Sequence, residues 1–383
     1  MIKQEVNELK RLYTPSNCSI TRICGCYVDG EKNRKTEFKE AFLSLPEEEI
    51  FKYFELLRKT LSGTLGKNLL NLDFPLSSEE AGGTQEFLLK LRDSKLKDEE
   101  LLSQFYDRII SSYEYVGNYL ILIIHDAYDV PGKTTDGLTM EDASDSVFEY
   151  MLCCICPVNL SKPGLSYDAA ANEFHNRIRD WVVEMPECGF LFPSFNDRAS
   201  DIHSTLYYSK NPEEPHQEFV TDILGCSLPL TAGSQKETFQ TLIEETLGEE
   251  ADYEVVKSIH ENLTEMIEEH KEIPEPLTLD KKQVKTLFEK SGVEEEKLET
   301  FDQLYDAAAG ETTSLLVNNV ANTRSFEVKT PDVVIKVNPE RADLVTAMTV
   351  EGKRCLVIEL SDQVEVNGIK VGGRTDGYPE ELS

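Results

Sequence analysis

From Cys18 to Leu45 the chain reads CSITRICGCYVDGEKNRKTEFKEAFLSL. Its first arm, Ile20 to Val28, is rich in β-branched and aromatic residues, and the run Asp29-Gly30-Glu31-Lys32-Asn33 offers Gly and Asn where a turn calls for positive φ. The return arm sets Phe38 and Phe42 among charged residues until Leu45-Pro46 stops the pattern and three glutamates open a helix. These signals agree on a β-hairpin. The following EEEIFKYFELLRKTLSG places Ile50, Phe51, Phe54, Leu57 and Leu61 on one helical stripe with Gly63 as the stop, which predicts a helix that covers the hairpin.

Outward from there, Leu76 to Thr84 reads as a connector, and Asp98 to Tyr113 as a helix with its stripe at Leu101, Leu102, Phe105, Ile109 and Tyr113. Two continuous apolar runs, Tyr119–Ile124 and Val147–Val158, read as central strands, and Trp181–Val183, Gly189–Phe195 and Ile202–Tyr208 as further strands. EFVTDILG predicts a short helix ending at Gly225, after which four acidic helical segments follow: one boxed by Ser234 and Glu237 and stopped at Gly248, then Asp252–His270, a third capped by Asp280 and stopped at Gly292, and Val293–Ala309. From Phe326 the chain returns to strands, with Asn367-Gly368 the strongest two-residue hairpin signal. The sum is an α+β fold: a mixed or antiparallel sheet, an acidic helical layer over one core face and a C-terminal β-hairpin unit. The expected domains are 1–228, an α+β domain, and 229–371, a helical block closing with β-hairpins, followed by a disordered tail at 372–383.

At 383 residues with 40% hydrophobic content the chain can bury a sizeable core. It has no apolar run long enough to span a bilayer, and MIKQEVNELKRLY lacks the core of a signal peptide. Nine cysteines, an odd number, point to reduced thiols in a cytoplasm. With 71 acidic against 39 basic residues the net charge is −32, so the average surface repels nucleic acid and anionic membrane. DNA contact then requires a local basic patch, and the hairpin cations Lys32, Arg34, Lys35 and Lys39 are the candidates, against their reading as a solvated strand face.

Chemistry-bearing motifs are sparse. Ala127-Tyr-Asp-Val-Pro-Gly-Lys133-Thr134 fits a relaxed phosphate loop, but no apolar helix follows the lysine and three aspartates surround it, so an acidic turn is the plainer reading. Cys24/Cys26 and Cys153/Cys154/Cys156 lack the paired knuckles zinc requires and lie in apolar strands, where alternation sends Cys24 and Cys26 to one face and Cys154 and Cys156 to another. No metal and no cofactor is expected. Asp197, Arg198, Asp201, His203 and Tyr207 concentrate acid, base and hydrogen-bonding groups in a turn and its following strand, a candidate small-ligand or acid/base site, with a capped turn as the alternative.

The opening hairpin, SGTLGKNLLNLDFP and FPSFNDRASDIHSTLYYSKNP together resemble a bacterial family known as domain of unknown function 4317, over essentially the whole chain. EFVTDILGCS, the acidic helices and VVIKVNPERADLVTAMTVEGKRCLVIEL resemble, in order and spacing, the second half of nucleoid-associated proteins of the Ndp type, a likeness of pattern that transfers no residue. Two function classes stand side by side. One is a non-enzymatic cytoplasmic binding or interaction protein, nucleoid-linked or otherwise, and the other an enzyme working from Asp197 to Tyr207. Its partners are unknown, a membrane is not among them, and a homo-oligomer stays open.

Overall fold

The structure is a computed structural model that describes residues 1–133, 139–248, 251–359 and 364–371. The hairpin that opens the sequence is present as β1 (Ile20–Val28) and β2 (Arg34–Glu40), antiparallel with Ile23 opposite Glu40 and Cys26 opposite Glu37. In its turn the positive φ falls on Lys32 (63°), not on Gly30 or Asn33. The Asp29 carboxylate accepts from the amides of Glu31 and Asn33, and this Asx-type bonding holds the turn.

Around this hairpin the chain adds β3 (Leu69–Asp73), β4 (Asn118–Lys133), β5 (Thr139–Leu160), β6 (Leu165–Asp168), β7 (Glu173–Asn176), β8 (Trp181–Val183), β9 (Cys188–Phe192), β10 (Ser194–Asn196), β11 (Ala199–Asp201) and β12 (Ser204–Ser209). The main sheet runs β2-β1-β4-β5-β9-β12-β3 with β8 on the end of β5, and every pairing in it is antiparallel. Its helices are α1 (Lys3–Lys10), α2 (Glu47–Thr60), α3 (Leu76–Glu79), α4 (Thr84–Asp93), α5 (Glu99–Ser112) and the turn α6 (Gln217–Phe219), which continues as a π-helical turn to Leu224 and stops at Gly225 with φ 68°.

Both faces of the sheet are buried. Cys24, Cys26, Ile121, Ile123, Cys153 and Phe190 pack under α4, α5 and α6, while Leu120, Leu122, Leu152, Cys154, Cys156 and Leu191 pack under α1 and α2. That explains why YLILII reads as an unbroken apolar run: a strand covered on both sides has no polar face to show. The cysteines sit on the two faces as strand alternation places them.

The structure departs from expectation in several places, each with a local cause. Ala127–Lys133 is not an acidic turn but the continuation of β4, held by pairing with β5 at Ala127–Glu149, Tyr128–Phe148 and Asp129–Val147. In α2 the stripe is Phe54, Leu56, Leu57 and Leu61, and Phe51 is 41% exposed. The strand read as Ile202–Tyr208 begins at Ser204, because Asp201 first closes a turn onto the His203 amide.

By internal contacts the chain divides into two units, Met1–Gly233 with Pro274–Pro276, and Ser234–Ile273 with Leu277–Ser383. The second unit contains α7 (Ala232–Leu247) from Ser234 onward, α8 (Tyr253–Glu269), β13 (Thr278–Leu279), α9 (Lys281–Lys290), α10 (Phe301–Ala308), β14 (Leu315–Leu316) and α11 (Val317–Val320). Its helices close on a core of their own, in which Phe288 touches both Phe239 and Phe301 edge-on. Helix α7 starts at Ala232, so Ser234 lies within its first turn rather than capping it, and Gly248 ends it with φ 72°. Asp280 caps α9 through a reciprocal box with Gln283. Val293–Ala309 is not one helix: a 3-10 turn at Glu295–Leu298 precedes α10. Three separate hairpins follow, β15 (Phe326–Lys329) with β16 (Val334–Val337), β17 (Val345–Val350) with β18 (Lys353–Ile358), and β19 (Val364–Val366) with β20 (Ile369–Val371). Asn367 and Gly368 both have positive φ, 49° and 83°, the geometry of a primed two-residue turn. The tail expectation at 372–383 lies outside the described residues.

Candidate functional site

The turn between β10 and β11 places Asp197 and Arg198 in the left-handed region, φ 51° and 57°, with Asn196 opposite Ala199. Asp201 is a junction: one carboxylate oxygen accepts from Asn196 Nδ2 (2.6 Å) and Ser204 Oγ (2.8 Å), the other from the His203 amide (3.0 Å). Partial burial pushes that carboxyl up, but the bonds from Ser204, Asn196 and His203 outweigh it and hold the carboxyl below its ordinary value. His203 meets Glu79 at 2.8 Å on the surface, and this bond raises the imidazole. Arg198 forks onto Glu8 (3.0 Å from Nη2) and reaches the Pro131 carbonyl (3.0 Å). Tyr207 stands apart, buried in the core under α5 and α6 with its hydroxyl donating to the Pro215 carbonyl at 2.7 Å. The structure thus gathers Asp197, Arg198, Asp201 and His203 in one loop region, and removes Tyr207 from it.

On the first hairpin, Arg34 contacts Ser103, Glu37 and Asp107, Lys35 pairs with Asp29 at 2.6 Å, Lys39 with Glu99 at 3.1 Å, and Lys32 reaches the Ser111 carbonyl at 3.5 Å. The Lys35 bond, with amide bonds from the turn, draws the Asp29 carboxyl down to about 2. A phosphate arriving here competes with carboxylates already in place.

Within the sheet β4 buries two adjacent polar residues, His125 and Asp126, on its opposite faces. Asp126 is fully buried and accepts from the Tyr150 hydroxyl (2.8 Å) and the Ala127 amide (2.8 Å), while Tyr150 in turn meets the Tyr13 hydroxyl at 3.1 Å. Burial raises the Asp126 carboxyl, because nothing cationic offsets the lost hydration. His125, also fully buried, bonds Thr21 through Nδ1 at 2.9 Å, and burial lowers its imidazole to about 4. These groups are enclosed and specify the sheet rather than face a ligand. The buried cysteines are likewise inert, with burial pushing the Cys24 and Cys26 thiols up to about 11. Among the described residues no group of three or more His, Cys, Asp or Glu is arranged to hold a metal ion.

The second unit contains a cavity of about 480 Å³ whose walls come from α7, α8, α11 and the β15 hairpin. Its polar lining includes Lys236, Lys257, Lys329, His260, Glu261 and Glu327, and its apolar wall Phe239, Val256, Val320 and Phe326. Spacing explains the set: Tyr253, Val256, Lys257, His260, Glu261 and Thr264 follow the i, i+3, i+4 rule along one stripe of α8. Lys257 is buried, with Nζ donating to the Val345 carbonyl at 3.3 Å, and the Tyr253 hydroxyl donates to the same oxygen at 3.1 Å. Of the two carboxylates, Glu327 is bound to Lys336 at 2.9 Å, and this contact holds its carboxyl below the ordinary value. Burial, with a smaller push from Lys236, lowers the His260 imidazole, so the ring is neutral at pH 7. In the sequence Asp252–His270 reads as a helix, and this stripe is visible on its helical wheel.

The chain belongs to the family described as Domain of unknown function (DUF4317), whose model matches residues 1–369. A comparison with curated proteins finds no match. No helix among the described residues is long and apolar enough to cross a membrane.

Proposed function

We propose that the protein works by binding rather than by catalysis, and that its second unit captures a small ligand with an anionic head and an apolar body in the cavity between α7, α8 and the β15 hairpin. One observation carries this reading: in a chain of net charge −32, three cations, Lys236, Lys257 and Lys329, line a single cavity with two carboxylates, of which Glu327 is held by Lys336 and Glu261 lies 3.9 Å from Lys257. Such convergence gives a carboxylate or phosphate head a local positive field, and Phe239, Val256 and Phe326 supply the apolar surface for the rest of the molecule. The volume suits a small organic molecule. What the cavity offers is charge, donors and an apolar wall, which are elements of recognition. A cytoplasmic setting accords with seven cysteines buried as thiols.

The test is a thermal-shift and calorimetric titration of the full chain with octanoate, inorganic phosphate and duplex DNA. Octanoate is expected to stabilise the wild type, by about 2.7 kcal/mol when present at a hundredfold excess over Kd. Lys236→Glu with Lys329→Glu is expected to remove that response, and His203→Ala to retain it. A flat wild-type response to octanoate and phosphate overturns the cavity reading, and retention on DNA at low salt moves the site to the hairpin cations.

A further inference from the structure

Some polar groups of the second unit's cavity are already engaged and others are not. Lys257 is engaged, with Nζ on the Val345 carbonyl and the Glu261 carboxylate 3.9 Å away, and Glu327 is held by Lys336. Lys236 on α7 and Lys329 on β15 line the cavity, are exposed, and form no ion pair among the described residues. His260 differs from both. Its imidazole lines the cavity half-buried, and among the described residues it makes no hydrogen bond and no ion pair. The ring is nevertheless held in place: Phe326 meets it edge-on at 6.3 Å, and meets Tyr253, two turns earlier on α8, at 6.5 Å.

Packing that removes water from a ring without giving it a partner leaves its nitrogens unsatisfied. Burial, and after it the charge of Lys236, keeps that ring neutral at pH 7. An anion entering beside Lys236 reverses the balance, because it offsets the lysine charge at the ring, favours the imidazolium and offers it an acceptor. The other charges around the ring do not already do this. On α8, Lys257 and Glu261 lie against each other, and on β15 Glu327 is held by Lys336. The 3-10 turn Pro339–Leu344 lines the cavity with Pro339 and Ala342, while its Arg341 pairs with Asp343, and α11 contributes Val320.

We infer that His260 is the specificity-determining residue of this cavity, taking a proton from solvent as the anion enters and donating a hydrogen bond to its head, so that one anion and one proton are bound together. The inference rests on the cavity reading above. Lys236 and Lys329 bring charge on long stems that fix no direction, whereas the His260 ring, seated on Phe326, fixes where an acceptor oxygen sits. The class of ligand this selects is an oxyanion, carboxylate or phosphate, whose apolar body lies along Phe239 and Phe326. No covalent bond of the ligand changes. Capture strengthens as pH falls through the neutral range, because the ring of the complex holds a proton that the ring of the free protein does not, and it levels off once the free ring is itself protonated.

Calorimetric titration of the full chain with octanoate at pH 8, 7 and 6, each in two buffers of different ionisation enthalpy, tests this. Octanoate stays ionised across that range, so a proton taken up on binding belongs to the protein. The wild type is expected to bind at least about threefold more tightly at pH 6 than at pH 8, with uptake approaching about one proton per ligand. His260→Gln keeps a hydrogen-bonding side chain that cannot gain a proton, and is expected to bind with one affinity at all three pH values and without uptake. Circular dichroism checks its fold, and His260→Asn takes its place if it does not fold. Octanoate binding by the wild type that is flat with pH and takes up no proton overturns the role of His260 and leaves the cavity reading standing, as a ring satisfied by water would give. Uptake undiminished in a folded His260 variant overturns it as well and assigns the proton to another group. A wild type that binds neither octanoate nor phosphate at any of these pH values overturns the cavity reading and this inference with it.

Discussion

Acidification should destabilise the first unit through one residue, His125. Its ring is fully buried in β4, Nδ1 is occupied by Thr21 at 2.9 Å, and Nε2 lies 3.8 Å from the Glu149 carboxylate, too far for a hydrogen bond. Burial therefore dominates over the attraction of Glu149 and lowers the imidazole from its ordinary 6.5 to about 4. Between those values the unfolded chain binds a proton that the folded chain does not. Stability from this group is fully present above 6.5 and is lost as pH falls toward 4. At about 1.4 kcal/mol per unit, integration from pH 7 to about pH 4.5 gives a loss of roughly 2 kcal/mol. Many carboxylates titrate in the same range, so the assay is a cycle: urea unfolding of wild type and His125→Asn at both pH values. Asp126, adjacent in the strand, points to the opposite face, and its raised carboxyl acts in the other direction, losing stability as pH rises through its folded value. That contribution is common to both proteins and cancels in the difference. The variant is expected to lose roughly 2 kcal/mol less than the wild type on acidification. Equal losses would refute the reasoning, because they would mean that the buried ring is not what resists the proton.

Two further substitutions probe how the helices are set against the sheet. A Cβ on Gly189 in β9 would overlap the Cys153 carbonyl oxygen and sit 2.8 Å from Thr60 Cγ2, so Gly189→Ala is expected to cost about 1–3 kcal/mol in urea unfolding, and unchanged stability would show that α2 yields freely. Asp98 accepts from the Glu100 and Leu101 amides, both at 3.0 Å, so Asp98→Ala is expected to cost about 1 kcal/mol, or about 2–4 °C in Tm, while Asp98→Asn keeps most of it. An Asn variant as weak as the Ala variant would assign the effect to charge at the helix start instead of to the cap.

The elements legible in the sequence are those whose signals are local. The β1–β2 arms, Asp98 and Asp280 as caps, the glycine stops at 225, 248 and 292, and the Asn367-Gly368 turn each depend on residues within a few positions of one another. The failures share a different cause. Ala127–Lys133 carries Asp129, Pro131 and Gly132, poor strand formers, and becomes strand because β5 pairs along it, from Glu149 opposite Ala127 to Thr139 opposite Lys133. Val293–Ala309 has the helical period but breaks after Leu298, where tertiary packing of Phe301 on Phe288 fixes the next start. The cavity was illegible as a whole, since Lys236, Lys257 and Lys329 belong to three elements that only the folded unit brings together. The loop residues were legible as a cluster but not in their roles: Tyr207 alternates into the core because Leu206 and Tyr208 belong to the opposite face.

Strand period also separates the parts of this molecule that are finished from the part that is not. Where helices cover both faces, β4 and β5 read as unbroken apolar runs, YLILII and YMLCCIC, because neither face meets water. At the sheet edge β2 reads RKTEFKE, and its charges keep the exposed backbone from pairing with another chain. The β6–β7 ribbon follows neither pattern. LSYD and EFHN alternate, which is the mark of one covered face, yet both strands lie in solvent. An edge strand meant to stay in water would carry charge on both faces, as β2 does. The Leu165, Tyr167 and Phe174 side of this ribbon thus carries the period of a covered strand face while standing exposed.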